Sequence, residues 1–245
     1  STYLVEPGLK WGGMGATVFT AGPSFYYYTF DADDNKGRFI ENTAKIGSYD
    51  SLTIGESKLH AGLAFQWTSD RRNNKVFPQW GTYLNIRVQA YKGLGDYAKS
   101  FAQFIPELAV YKSLTRRSTI VLAERLGGVI GFGDAAFYQS AYLGGHENLF
   151  GYRQYRFAGR HSFYNNLELR VKLADIVSYI LPGQFGISGF WDTGRVWERH
   201  DNSDKWHHGV GGGIYFAPAS VIAISFVAGH SKEGWYPYFT LGMRF

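Results

Sequence analysis

The sequence predicts an all-β fold, an antiparallel barrel of about twelve strands that crosses a lipid bilayer. Three observations carry that prediction. Apolar and polar residues alternate along most of the 245-residue chain, which gives each strand one greasy and one polar side. The alternating runs last about ten residues or more, where strands of water-soluble proteins average ~5–6. The connections also alternate, tight turns at one set of strand ends and long loops at the other, as membrane-spanning barrels are built.

In chain order, strands are expected at 12–20, 23–31, 38–47, 57–68, 79–92, 101–113, 118–132, 160–174, 183–197, 207–217, 220–230 and 236–245. Within 57–68, Leu59, Ala61, Leu63, Phe65 and Trp67 share one side, against Lys58, His60, Gln66 and Thr68. Within 82–92, Leu84, Ile86, Val88 and Ala90 oppose Asn85, Arg87, Gln89 and Tyr91. Phe185, Ile187 and Trp191 oppose Ser188 and Asp192, and the final run sets Phe239, Leu241, Met243 and Phe245 against Tyr238, Thr240, Gly242 and Arg244. LTRRS (114–118) and APAS (217–220) read as tight turns, whereas 133–159 and 198–206 read as long loops. An even strand number puts both termini at one end and the 133–159 loop at the opposite, outer end.

Residues 167–173 decide what the alternation is for. Leu167, Leu169, Val171 and Leu173 are separated by Glu168, Arg170 and Lys172. A soluble sandwich also alternates, but strands this long match the hydrocarbon layer of a bilayer. The aliphatic side then faces lipid and the charges face a polar lumen. The same parity turns Glu107, Arg125, Asp192 and Arg244 inward. Aromatic clusters near strand ends, FYYYTF (25–30) and WYPYF (235–239) among them, suit the interfacial girdles of such a barrel.

Composition narrows the function. With no cysteine, disulfides and thiol chemistry are excluded. The net charge of +5 is spread among acids and aromatics, unlike the clustered bases of a nucleic-acid binder. Lipid head groups, including those of lipopolysaccharide, are the more natural partner. No apolar run reaches the ~18–20 residues of a membrane helix; the nearest, 216–229, is broken by Pro218, Ser220 and Ser225. No signal peptide opens the chain, so residues 1–245 read as one barrel domain excised from a larger protein.

Three stretches together resemble the bacterial surface antigen superfamily, which includes the BamA-like barrel insertases and two-partner secretion transporters. They are LGGHENLFGYRQYRFAGRHSFYNNLELR (143–170), SDRRNNKVFPQWGTYLNI (69–86) and GFWDTGRVW (189–197). The resemblance covers residues 57–245 and implies an outer-membrane barrel of a Gram-negative bacterium whose long loop folds into the lumen. Its loop motif maps onto Phe150, Gly151, Tyr152, Arg153 and Arg156. The family usually has Arg where this chain has Phe150, and that Arg reaches the Asp that is Asp192 here. The resemblance therefore implies that Arg153 or Arg156 takes over, with Asp192 or Glu168 as acceptor, and that Phe150 packs on an apolar or glycine-rich wall. Phe239, Leu241, Gly242, Met243 and an outward Phe245 form the terminal assembly signal. The function implied is insertion, secretion or transfer of protein or lipid across the outer membrane. The alternatives are an anchor or secretion pore for an N-terminal phosphoesterase- or lipase-like domain, and a diffusion porin. A polypeptide substrate and a homodimer are compatible partners.

No catalytic constellation is expected. There is no Gly-x-Ser-x-Gly elbow and no His-Glu-x-x-His, and RHDNSDK (199–205) reads as a solvated loop. His207 and His208 are adjacent on a strand and point to opposite faces, so no metal site is expected. GVGGGIYF (209–216) lacks the Lys-Ser/Thr and helix of a phosphate loop. No cofactor is expected.

Overall fold

Strand pairing turns the period-two segments into one antiparallel sheet. A computed structural model describes residues 1–13, 15–31, 33–37, 53–179, 181–198, 204–218 and 222–245. Its strands are β1 (Thr2–Val5), β2 (Leu9–Gly12), β3 (Thr17–Tyr28), β4 (Lys58–Asp70), β5 (Gly81–Leu94), β6 (Phe101–Ser113) and β7 (Ile120–Gly133). After a long loop carrying the small pair β8 (Ala141–Leu143) and β9 (Phe157–Gly159) come β10 (His161–Ile176), β11 (Gly183–Trp197), β12 (His207–Pro218), β13 (Ile224–Ser231) and β14 (Gly234–Leu241). The twelve-stranded sheet runs β1-β3-β4-β5-β6-β7-β10-β11-β12-β13-β14, with β2 also paired to β3.

Side chains far apart in that order meet across the interior. Phe77, between β4 and β5, lies 5.4 Å from Tyr215 on β12, and Tyr111 on β6 lies 6.2 Å from Phe245 after β14. The sheet is therefore curled into a barrel. Its two faces are inverted relative to a soluble protein. Leu63 is 68% exposed and Phe239 62%, whereas Arg170 is 1% exposed and Asp192 0%. A charge buried that deeply survives only when paired and hydrogen-bonded, and apolar side chains so exposed belong against lipid.

The strands differ from the expected set at the beginning and the end of the chain. Residues 12–31 were expected to hold two strands; they hold one, β3, and the edge beside it comes from residues 2–12. Gly22 and Pro23 do not form a turn. They stand opposite the break between β1 and β2, where a Cβ on Gly22 would lie 2.2 Å from the Pro7 carbonyl oxygen. Pro23, which has no N–H to give, thus costs the ladder nothing there. Glu6 sits in the same break and accepts from Ser24 Oγ at 2.8 Å and from Arg87. Thr2 pairs with Tyr28 at the long-loop end, so Ser1 and the end of β14 lie at opposite ends of the barrel, not at one. The expected strand 38–47 lies outside the described residues.

At the other terminus, β14 stops at Leu241. Gly242 takes a φ of +110°, a left-handed conformation that suits glycine, and the alternation ends with it. Phe239 and Leu241 face outward, but Met243 packs beside Phe77 and Tyr215. Phe245 lies under the guanidinium groups of Arg125 and Arg170, 4.8 and 5.9 Å from its ring centre. The expectation of an outward Phe245 is thus corrected: the last four residues enter the lumen.

Candidate functional site in the lumen

The long loop between β7 and β10 also enters the lumen, and Asp192 on β11 is where it is held. The Asp192 carboxylate accepts the Phe150 backbone N–H at 2.8 Å, the Asn166 amide at 2.9 Å and Arg244 Nη1 at 2.7 Å. Three donors, one of them a guanidinium, satisfy a carboxylate with no solvent. Asn166 on β10 also donates to the Asn148 carbonyl at 2.7 Å, while its oxygen accepts Arg125 Nη2 at 2.8 Å. Arg125 reaches on to the Glu147 carbonyl. Backbone groups of residues 147, 148 and 150 are therefore fastened by three lumen side chains.

The adjoining strands β12 and β13 hold the loop by close approach. A Cβ on Gly209 would lie 1.9 Å from the Phe150 carbonyl oxygen, and one on Gly229 would lie 2.7 Å from the Gly151 nitrogen. The glycines of β12 and β13 thus let the loop backbone lie directly on the strands. Gly151 has a φ of +87°; its N–H donates to Tyr238 Oη at 2.9 Å and its carbonyl accepts from Ser231. Tyr238 Oη donates to the Tyr152 carbonyl at 2.9 Å. Tyr152 is buried and donates to the His208 carbonyl at 3.2 Å; burial pushes its hydroxyl above the ordinary pKa, so it remains a neutral donor.

Phe150 fills the centre of this arrangement. Its ring centre is 4.9 Å from that of Phe190 and 4.3 Å from that of Tyr238, and the Arg244 guanidinium stacks on it at 3.9 Å. The expected arginine pairing is accordingly corrected. Arg153 is exposed, and Arg156 is exposed and bound to Glu233 at 2.7 Å. Neither reaches Asp192 or Glu168. The partner of Asp192 is Arg244, brought there because the chain turns inward at Gly242, and its guanidinium occupies the space above the Phe150 ring.

The other inward charges form separate groups. Glu168 pairs with Arg170 at 2.8 Å. Arg170 also donates to the Pro78 and Phe245 carbonyls at 3.1 and 3.3 Å, joining the wall to the turn after β4. That turn folds inward through buried Phe77, its start fixed by Asp70 and Arg72 at 2.9 Å. Glu107 accepts from Tyr164 at 2.8 Å and stands 4.0 Å from Arg125. Lys172 pairs with Asp175 at 3.0 Å near the short-turn end, away from the loop. Asn166, at the centre of the loop contacts, was not singled out from sequence, although it shares the inward parity of Glu168. Between loop, tail and wall lies a polar chamber of about 450 Å³ lined by Glu107, Arg125, Tyr164 and Arg244.

Among the described residues no group of His, Asp and Glu is placed to hold a metal ion. His207 stacks on Phe157 at 3.6 Å, whereas His208, on the opposite face, lies 6.2 Å from Trp191. Most of 199–205 lies outside the described residues.

Comparison with known proteins agrees with this architecture. Residues 19–226 match the model of the Omp85 superfamily domain. Among solved structures the chain is similar to BamA from Haemophilus ducreyi lacking POTRA domains 1–3, with a TM-score of 0.70 at 17% identity. The match covers 98% of this chain and 54% of that one, so the chain spans about half the length of that relative. No curated protein matches it.

Proposed function

The chain belongs to the Omp85 superfamily of outer-membrane insertion and translocation barrels, and we propose that it inserts, secretes or transfers protein or lipid across the outer membrane of a Gram-negative bacterium. The observation that carries this reading is the loop fastened inside the barrel at Asp192. A barrel that served only for diffusion would not fill its lumen with an inward loop, an inward turn and an inward tail. The chemistry is one of positioning, since the charges around the loop hold one another: Asp192 with Arg244, Glu168 with Arg170, and Glu107 beside Arg125.

Reconstitution tests it. The purified barrel is placed in lipid vesicles, an unfolded outer-membrane barrel is added, and its folding is followed by heat-modifiable migration. Folding at least about tenfold faster than in empty vesicles is expected, a barrier change of about 1.4 kcal/mol. Unchanged folding, together with release of a passenger fused ahead of residue 1, favours the second reading, an anchor or secretion pore for an N-terminal domain. Large steady conductance across a planar bilayer would instead indicate a porin.

A further inference from the structure

The outer wall carries a groove that the lumen reading leaves unexplained. In the pairing of β6 with β7, Phe104 meets Ile130 and Glu107 meets Gly127, but the residues between them are unpaired. Pro106 has no N–H for a rung, and Gly128 has no side chain to fill the space beside it. Both positions lie on the lipid-facing side. The result is a groove of about 370 Å³, within the roughly 300–1,000 Å³ of small-molecule sites. Leu108 and Leu126 line its deeper part, and Ile130, Phe163 and Trp197 line it towards the long-loop end.

Both ends of the groove are chemically marked. At the long-loop end, Arg195 lies directly across the ladder from Phe163, with its guanidinium 4.9 Å from the Trp197 ring centre and 6.0 Å from that of Trp206. Tryptophan and arginine together mark the head-group level of a bilayer. Asp204 pairs with Arg195 at 2.7 Å with its own side chain 92% exposed, and an ion pair so open to water on one side contributes little. At the far end, Leu126 pairs with Asn165, whose amide donates to Glu124 at 3.0 Å, so the apolar channel ends at a polar pair.

We propose that this groove seats one acyl chain of an anionic phospholipid, with its phosphate at Arg195. An apolar trough on a lipid-facing wall, with a cation at head-group level and a polar stop at depth, matches an amphiphile in length order: phosphate, then hydrocarbon, then nothing further. The volume suits a single chain, which favours a phospholipid over a many-chained lipid A.

The test uses the folded barrel in vesicles containing phosphatidylglycerol with a diazirine on one acyl chain. After irradiation, adducts are mapped by peptide mass spectrometry. Adducts at 106–108 and 126–130 should exceed those on the outward face of β4 by about tenfold. Even labelling around the barrel would mean ordinary annular lipid and would overturn the proposal without a variant being needed. Leu126→Trp, which fills the trough, should remove the excess, and Arg195→Gln should reduce labelling by phosphatidylglycerol towards that by phosphatidylcholine. Both variants are checked for heat-modifiable migration. Equal labelling by the two lipids in the wild-type barrel overturns the role of Arg195, and loss of labelling on adding lipid A overturns the phospholipid as occupant. Neither outcome touches the proposed transport activity, which is read separately.

Discussion

β10 and β11 run for 16 and 15 residues, whereas β13 and β14 run for eight each. Both walls hold the inward loop, by different means. The long wall offers Asn166 and Asp192, whose side chains reach out and take backbone groups. The short wall, with its neighbour β12, offers glycines on which the loop backbone lies, and a tyrosine that caps it. The difference is one of tolerance. A buried charge needs every partner present, while a close backbone approach needs only that nothing intrude. The first fails by deletion, the second by addition.

The largest effect should come from deletion on the long wall. Asp192→Ala leaves Arg244, the Phe150 N–H and an Asn166 donor unpaired together, at a cost of about 3–5 kcal/mol. The midpoint of heat-modifiable unfolding in detergent should fall steeply. A midpoint near that of the native barrel would mean that the loop is held by the short wall alone. Next comes addition on the short wall. Gly209→Ala places a methyl group against the Phe150 carbonyl and should cost about 1–3 kcal/mol, with protease cutting newly detected at 148–156. If Gly209→Ala proves as harmful as Asp192→Ala, the two walls are one unit. The smallest effects belong to the exposed arginines. Arg156→Ala removes a solvent-exposed pair with Glu233 and should cost less than about 1 kcal/mol, and Arg153→Ala should stay within about 0.5 kcal/mol. A loss at Arg153 comparable to that at Asp192 would restore the arginine pairing expected from the sequence.

The long strands β4 to β7 and β10 to β13 were legible because their alternation is enforced by two different solvents, lipid outside and polar lumen inside, whereas the short pair β8 and β9 lies in what read as a loop. Asp192 was legible through its Phe-x-Asp-x-Gly setting. Its partner was not, because parity assigns a direction and not a depth, and Arg244 reaches Asp192 only after Gly242 leaves the strand. The same turn explains Phe245, which the alternation sent outward on the premise that β14 continued. Residues 2–12 escaped notice because Glu6, Pro7 and Gly8 interrupt their alternation, and the break these make is real; it is matched by Gly22 and Pro23 on the facing strand. Asn166 was overlooked because neutral amides draw less attention than charges, although here one amide serves both an arginine and an aspartate.

Glu6 gives that break a mechanical meaning. β1 and β2 each hold β3 by four residue pairs, and between them the hold passes to one carboxylate tied to Ser24, Arg87 and Tyr91. Peeling from either end would run quickly through four pairs and then meet a rivet, whose release requires three bonds to part at once. Under tension this edge should yield in two steps rather than one, and shortening Glu6 to Asp would loosen the rivet while leaving both half-seams sewn.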